Sequence, residues 1–198
     1  MERIVIHIKG RQDHRMHREL DTNYLGEYKV FDAIKLVNAK KGISESFKEV
    51  VRQHYNEPMI QVFEDDLMFT TSDARFIFEN TFNKLPEDWD LFLGGSYISD
   101  HQKSLMIKGD GWLKMPEFRS LHNVIIRKSA YDKILSHDTD VSYDKDIDAY
   151  LSKQGLNVYL CDPQVCIQYA GFSFNRGRSV DYRDFHINMN IKFDENFS

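Results

Sequence analysis

Apolar residues along this chain come in short, nearly continuous runs, separated by stretches in which they recur every three or four positions. Ile4-Val5-Ile6-His7-Ile8 reads as a buried strand. Gly10 turns the chain, and residues 13–20 are predicted as a helix, with a short second strand over 27–31. Phe47, Val50, Val51 and His54 share one face of an amphipathic helix over 44–55, with Gly42 breaking the chain before it and Ser44 in capping position. Residues 59–63 form another strand, and Ser72-Asp73 opens a helix through Phe76, Ile77 and Phe82. Residues 89–93 return as a strand ending in Gly94-Gly95-Ser96. Strands over 123–126, 157–161 and 166–169 and helices over 129–135 and 146–154 complete the pattern, Gly155 ending the last helix. Strands alternate with helices, so the fold class is α/β, a mostly parallel central sheet flanked by helices. Residues 99–119 show no period, and a loop of that length is expected to be functional.

The 198 residues are 41% hydrophobic and 13% aromatic, which suits one domain over 1–198. Four Pro, ten Gly and no low-complexity stretch leave no place for a linker, and no internal repeat is visible. No apolar window is long enough to cross a membrane, and the N-terminus lacks a signal-peptide profile. A cytoplasmic location is the expectation. Cys161 and Cys166 are too few for a disulfide framework and are expected as reduced, buried residues. The net charge of −5 weighs against a broad nucleic-acid-binding surface. A local basic groove stays open, because Lys9, Arg11, Arg15 and Arg18 form one basic cluster and Arg176, Arg178 and Arg183 another.

The candidate chemistry begins where Met59-Ile60-Gln61-Val62-Phe63 runs into Glu64-Asp65-Asp66. Carboxylates inside a buried strand would be desolvated, so these belong at its C-terminal end. In open α/β sheets that edge binds ligands. Clustered acids there suit a hard divalent cation carrying phosphate oxygens; the plainer alternative is a solvated strand end. A second acidic cluster, Tyr143-Asp144-Lys145-Asp146-Ile147-Asp148, enters a helix, where acids also complement the helix dipole. His122 and His186 are candidate additional metal ligands or structural histidines. Tyr97, Trp112 and Phe118 are candidates for stacking on an acceptor or for the core.

The order of these motifs resembles glycosyltransferase family 25, lipooligosaccharide and collagen sugar transferases within the GT-A type. The resemblance is carried by Ile4-Val5-Ile6-His7-Ile8 with the basic turn through Arg15, by Phe31-Asp32-Ala33, and by Gly42 with Ser46. Its strongest part is Val62-Phe63-Glu64-Asp65-Asp66 followed by 85–95, then 123–130. It covers roughly residues 4–169, although Ile43 and Phe47 stand where the family has Cys and His.

The resemblance implies a single GT-A-like domain with a nucleotide-sugar-binding half (1–96) and an acceptor half (97–198). It implies Asp66 as a direct ligand of Mn²⁺ or Mg²⁺, Asp65 at the metal and the ribose or donor sugar, and Glu64 as a supporting acid. Ile8, Lys9, Arg11, Arg15 and Asp32 would lie beside the nucleotide. From the residues themselves, Gly94 and Gly95 either let the sugar approach the backbone or form a simple turn, Arg176 and Arg178 either close over the diphosphate or belong to an ordinary surface turn, and His186 either joins the metal or is structural. Asp144, then Asp146, matches the catalytic base, with Asp148 third. The expected activity is metal-dependent, inverting transfer of a sugar from a nucleoside-diphosphate donor, UDP foremost, to an acceptor hydroxyl. The acceptor would be a glycan or lipooligosaccharide, or a modified DNA base. The competing class is a non-catalytic module that binds a nucleotide sugar or a protein. An enzyme requires both acidic clusters to face one cleft.

Overall fold

The computed structural model describes residues 1–10, 13–173 and 178–181. An eight-stranded sheet forms the centre, in the order β2 (Lys29–Asp32), β1 (Glu2–His7), β3 (Met59–Glu64), β8 (Asn123–Arg127), β5 (Leu91–Leu93), β9 (Val158–Cys161), β7 (Trp112–Met115), β6 (Ile107–Lys108). β1 pairs in parallel with β2 and β3, and β5 with β9. β8 runs antiparallel between β3 and β5, and β7 antiparallel between β9 and β6. Six strands of this sheet therefore point one way and β7 and β8 the other. β8, from the second half of the chain, is inserted between two strands of the first half.

The inner strands β1, β3, β8, β5 and β9 are largely apolar on both faces because both faces are covered. Alternate side chains divide between two cores. Ile4, Val62, Val124 and Ile126 face one core with Phe47, Val50 and Val51 of α2 (Ala39–Gln53), with α5 (Tyr131–Leu135) and with α6 (Ile147–Leu151). Val5, Phe63, Phe92 and Ile125 face the other with Met16, Leu20 and Tyr24 of α1 (Asp13–Tyr24) and Phe78 of α3 (Ala74–Phe82). Phe78 stacks on Phe92 with centroids 4.5 Å apart. Cys161 and Cys166 are free and buried, and burial pushes the Cys161 thiol up to about 12. No helix among the described residues is long and apolar enough to cross a membrane.

Two sequence expectations change here. α2 starts at Asn38, whose side chain accepts the Lys41 N–H at 3.3 Å, rather than at Ser44. Gly42 lies inside this helix, where a Cβ would sit 2.6 Å from the Ile34 carbonyl oxygen. It permits close approach of the 33–36 loop, which Ser46 fastens by accepting the Ile34 N–H at 2.9 Å. Residues 99–119, expected as a long functional loop, instead hold α4 (Asp100–Leu105) and the β6–β7 pair at the sheet edge. Phe118 is fully buried and Trp112 packs edge-on against Tyr159 at 5.0 Å, so both belong to the body of the fold.

Outside the main sheet, β4 (Leu67–Phe69) pairs with β10 (Cys166–Gln168), and β11 (Gly171–Ser173) with β12 (Arg178–Val180). The first pair brings Gln168 opposite Leu67, beside the acid triplet. The C-terminal ends of β1 and β3 and the N-terminal end of the reversed β8 meet on one edge of the sheet, with Ile6 opposite Glu64 and Phe63 opposite Asn123.

Candidate functional site

A cleft of about 1030 Å³ opens at that edge. Its walls come from Ile8 after β1, residues 33–36 after β2, the first turns of α2, Glu64-Asp65-Asp66 after β3, Tyr97, residues 119–121 before β8, residues 143–149, and Gln168. Both acidic clusters thus line one cavity.

The three acids of the triplet differ in their surroundings. Asp65 is 5% exposed, and its Oδ2 accepts the Ile8 N–H at 2.7 Å and lies 3.0 Å from His7 Nδ1. It ties the end of β1 to the end of β3 and fixes the backbone that forms the cleft floor. Glu64 and Asp66 converge on one amide: Gln168 Nε2 donates to Glu64 Oε2 at 3.2 Å and to Asp66 Oδ1 at 3.3 Å. The Tyr97 hydroxyl donates to Gln168 Oε1 and so turns the amide nitrogen toward the carboxylates. Two hard oxygen donors meet at that point, a set suited to a divalent cation that also takes phosphate oxygens. No group of three His, Cys, Asp or Glu residues able to hold a metal is present among the described residues.

The second cluster is equally differentiated. Both carboxylate oxygens of Asp144 meet Lys153 Nζ, at 3.0 and 2.9 Å, and Asp146 meets Lys40 Nζ at 2.7 Å. The segment is pinned from behind by His137. Its Nδ1 faces the Ser44 hydroxyl at 2.7 Å and its Nε2 faces the Asp144 carbonyl oxygen at 3.0 Å. Asp148 meets no lysine among the described residues, although the Arg119 charge acts to lower its pKa. Its Oδ2 accepts the Ser120 N–H at 2.8 Å and its Oδ1 the Ala149 N–H at 2.7 Å. Burial raises its pKa above the ordinary aspartate value, against the lowering effect of those two N–H groups.

Of the residues singled out in the sequence, Ile8, Glu64, Asp65, Asp66, Asp144 and Asp146 line the cleft, and so do Tyr97 and Asp148. Asp32 and Lys9 are exposed and outside the lining, where Ala33 and Ile8 take their places. The Arg15 guanidinium lies over the Tyr169 ring, 3.6 Å from its centroid, and is likewise outside the lining. Arg178 is exposed on β12, away from the lining. Gly94 and Gly95 are buried and do not reach the cleft: a Cβ at Gly94 would meet Cys166 Sγ at 2.9 Å, and one at Gly95 the Cys166 carbonyl and His122 Nε2. Their small size admits β10 and His122, not a sugar. Arg11, Arg176 and His186 lie outside the described residues. His122 is fully buried between Ser120 and the Cys166 carbonyl and, among the described residues, faces no carboxylate that could share a metal with it. His7, Ser120, Lys40 and Gln168 were not legible as site residues, because each reaches the cleft through a contact distant in sequence.

Gly95→Ala is expected to destabilise the fold by about 1–3 kcal/mol or more, because backbone on the opposing side must move. Urea denaturation measures this; an unchanged midpoint would show that the Cys166 strand gives way freely.

No family model and no curated protein sequence matches the chain. Among solved structures, A197 from STIV aligns at a TM-score of 0.52 with 10% identity, covering 91% of this chain and 93% of that one. UDP-glucose pyrophosphorylase complexed with UDP-glucose aligns at 0.48 with 9% identity, over 81% of this chain and 72% of its own. A Drosophila galactosyltransferase 7 in complex with manganese, UDP-Gal and xylobiose aligns at 0.41 with 9% identity, over 91% and 76%. The likeness of fold is carried by the first of these and, at 10% identity, extends to the fold alone.

Proposed function

We propose that the protein is a glycosyltransferase that moves a sugar from a nucleoside diphosphate, UDP foremost, to an acceptor hydroxyl. The observation that carries this reading is the convergence of two acidic clusters on one cleft. The motif order shared with glycosyltransferase family 25 supports it. The diphosphate is assigned to the Glu64–Asp66 end, with Ile8 and the 33–36 loop as a wall for the nucleotide; Lys35, Lys40 and Arg119 are among the cations of the cleft lining. Glu64 and Asp66 would hold Mn²⁺ or Mg²⁺. A cation bound there would offset charge developing on the departing diphosphate.

The proton acceptor is assigned to the other cluster. An acceptor hydroxyl oxygen attacks the anomeric carbon, the bond from that carbon to the diphosphate oxygen breaks, and the hydroxyl proton passes to a carboxylate. Displacement in one step inverts the anomeric centre. Asp144 and Asp146 are each engaged in an ion pair with a lysine. Asp148 has no such ion pair among the described residues, and the burial that raises its proton affinity outweighs the Arg119 charge, which suits a general base better. This reverses the order expected from sequence, in which Asp148 was placed last. The acceptor is assigned to a glycan or lipooligosaccharide, with a hydroxylated DNA base as the second choice.

A screen for UDP release from UDP-hexoses with Mn²⁺, with and without saccharide acceptors, tests the reading. Release from at least one sugar, increased by an acceptor, is the expected result. Tight UDP-sugar binding with no release across all acceptors would favour the non-catalytic module instead.

A further inference from the structure

Ser120 sits where the two acidic clusters meet. Its N–H donates to Asp148 Oδ2 at 2.8 Å. Two residues on, the His122 carbonyl accepts the N–H of Glu64 at 3.0 Å. Ser120 lines the cleft and holds a φ of +87°, in the left-handed region that non-glycine residues enter at a cost. Its hydroxyl meets His122 Nδ1.

The direction of that bond follows from the far side of the ring. His122 Nε2 faces the Cys166 carbonyl oxygen at 3.4 Å, and a carbonyl can only accept. Nε2 therefore carries the proton. The ring is completely buried and, among the described residues, meets only the Ser120 hydroxyl and the Cys166 carbonyl, so no charged partner would offset a second proton and the ring is neutral. Nδ1 then offers only a lone pair, so the Ser120 hydroxyl is the donor. Its proton is committed inward, and Ser120 Oγ can act toward the cleft only as an acceptor. Ionised Asp148 is acceptor-only as well. A ligand group between them has to bring hydrogen-bond donors, as a ring bearing several hydroxyls does.

We propose that Ser120 Oγ is a specificity determinant for the transferred sugar, accepting a hydrogen bond from one of its hydroxyls. This rests on the nucleotide-sugar reading: the transferred sugar must lie between the diphosphate at Glu64–Asp66 and the proton acceptor at Asp148, and Ser120 joins the two. The Ser120–His122 pair looks like a nucleophile with its base, but a fully buried imidazole that meets no carboxylate among the described residues would have to carry an uncompensated charge to take the serine proton. The ring sets the direction of the hydroxyl instead.

Calorimetric titration of UDP, UDP-glucose, UDP-galactose and UDP-N-acetylglucosamine, all in MnCl₂, compares wild type with Ser120→Ala. Alanine keeps the N–H to Asp148. UDP should bind both proteins equally, which also reports that the variant is folded. The sugar that adds affinity over UDP in wild type should bind Ser120→Ala about three- to tenfold more weakly, the contribution of one hydrogen bond. Ser120→Gly, favoured by the positive φ, should behave as Ser120→Ala does. An unchanged ratio of UDP-sugar to UDP affinity in both variants would overturn the inference while leaving the nucleotide reading intact, and so would a panel in which no sugar adds affinity over UDP. Failure of wild type to bind UDP at all would overturn the nucleotide reading first, and this inference with it.

Discussion

Asp148→Asn is expected to keep donor binding and to lose about 10²–10⁴-fold of sugar transfer, the usual contribution of a general base. The amide preserves the shape, and its oxygen can still accept the Ser120 N–H, but it cannot take a proton. The pH profile provides a second readout. Burial raises the Asp148 pKa, and only the ionised form accepts a proton. kcat/KM should therefore rise with pH through that raised value, above the ordinary aspartate range of about 3.9. Asp148→Asn should remove this acidic limb. Stability follows the opposite sign. The folded state holds the Asp148 proton more tightly than the unfolded state, so the group's contribution falls as pH rises from the unfolded to the folded pKa. Asparagine removes that pH dependence, but its oxygen can serve only one of the Ser120 and Ala149 N–H groups and its amide nitrogen would face the other, so the variant should unfold somewhat earlier than wild type at neutral pH. Asp144→Asn and Asp146→Asn break partly exposed pairs with Lys153 and Lys40, worth about 0–1 kcal/mol each, and should leave most transfer intact. If Asp144→Asn takes the large loss and Asp148→Asn does not, the base is Asp144.

Asp66→Asn should abolish the metal-dependent part of donor binding, weakening UDP by roughly 10–100-fold in Mn²⁺, the range that disturbing even an outer partner of a metal ligand costs. The fold should persist, since an asparagine oxygen can still accept from Gln168 Nε2. Asp65→Asn is a different kind of change. Its Oδ2 holds the Ile8 N–H and lies against His7, so the substitution should lower stability as well as binding. Thermal melts with and without ligand separate the two: Asp66→Asn should melt as wild type does without ligand, and Asp65→Asn should melt earlier. A normal UDP affinity for Asp66→Asn in Mn²⁺ would remove Asp66 from the metal.

The layering was legible because β1, β3 and β8 alternate between two covered faces, and Phe47, Val50 and Val51 mark the helix that covers one of them. The acid triplet was legible because charge cannot continue a buried strand. Its internal division was not, because Asp65 is defined by the Ile8 N–H and Asp66 by Gln168, contacts that span 57 and 102 residues. The helix start was misread for the same reason: Ser44, a good cap by type, bonds to His137 instead. β6 and β7 were missed because Trp112 pairs with Cys161 across a long sequence gap and two short strands leave no local period. Gly94 and Gly95 were read as room for a sugar, whereas the crowding comes from Cys166 and His122.

On the proposed reading, Glu64 and Asp66 bind a cation that carries a nucleoside diphosphate into the cleft shared with Asp148. The most direct test is the titration of UDP into the wild-type protein in MnCl₂ and again in EDTA. Saturable one-to-one binding in MnCl₂ that vanishes in EDTA is the expected result. Equal affinity in both, or binding in neither, would contradict it.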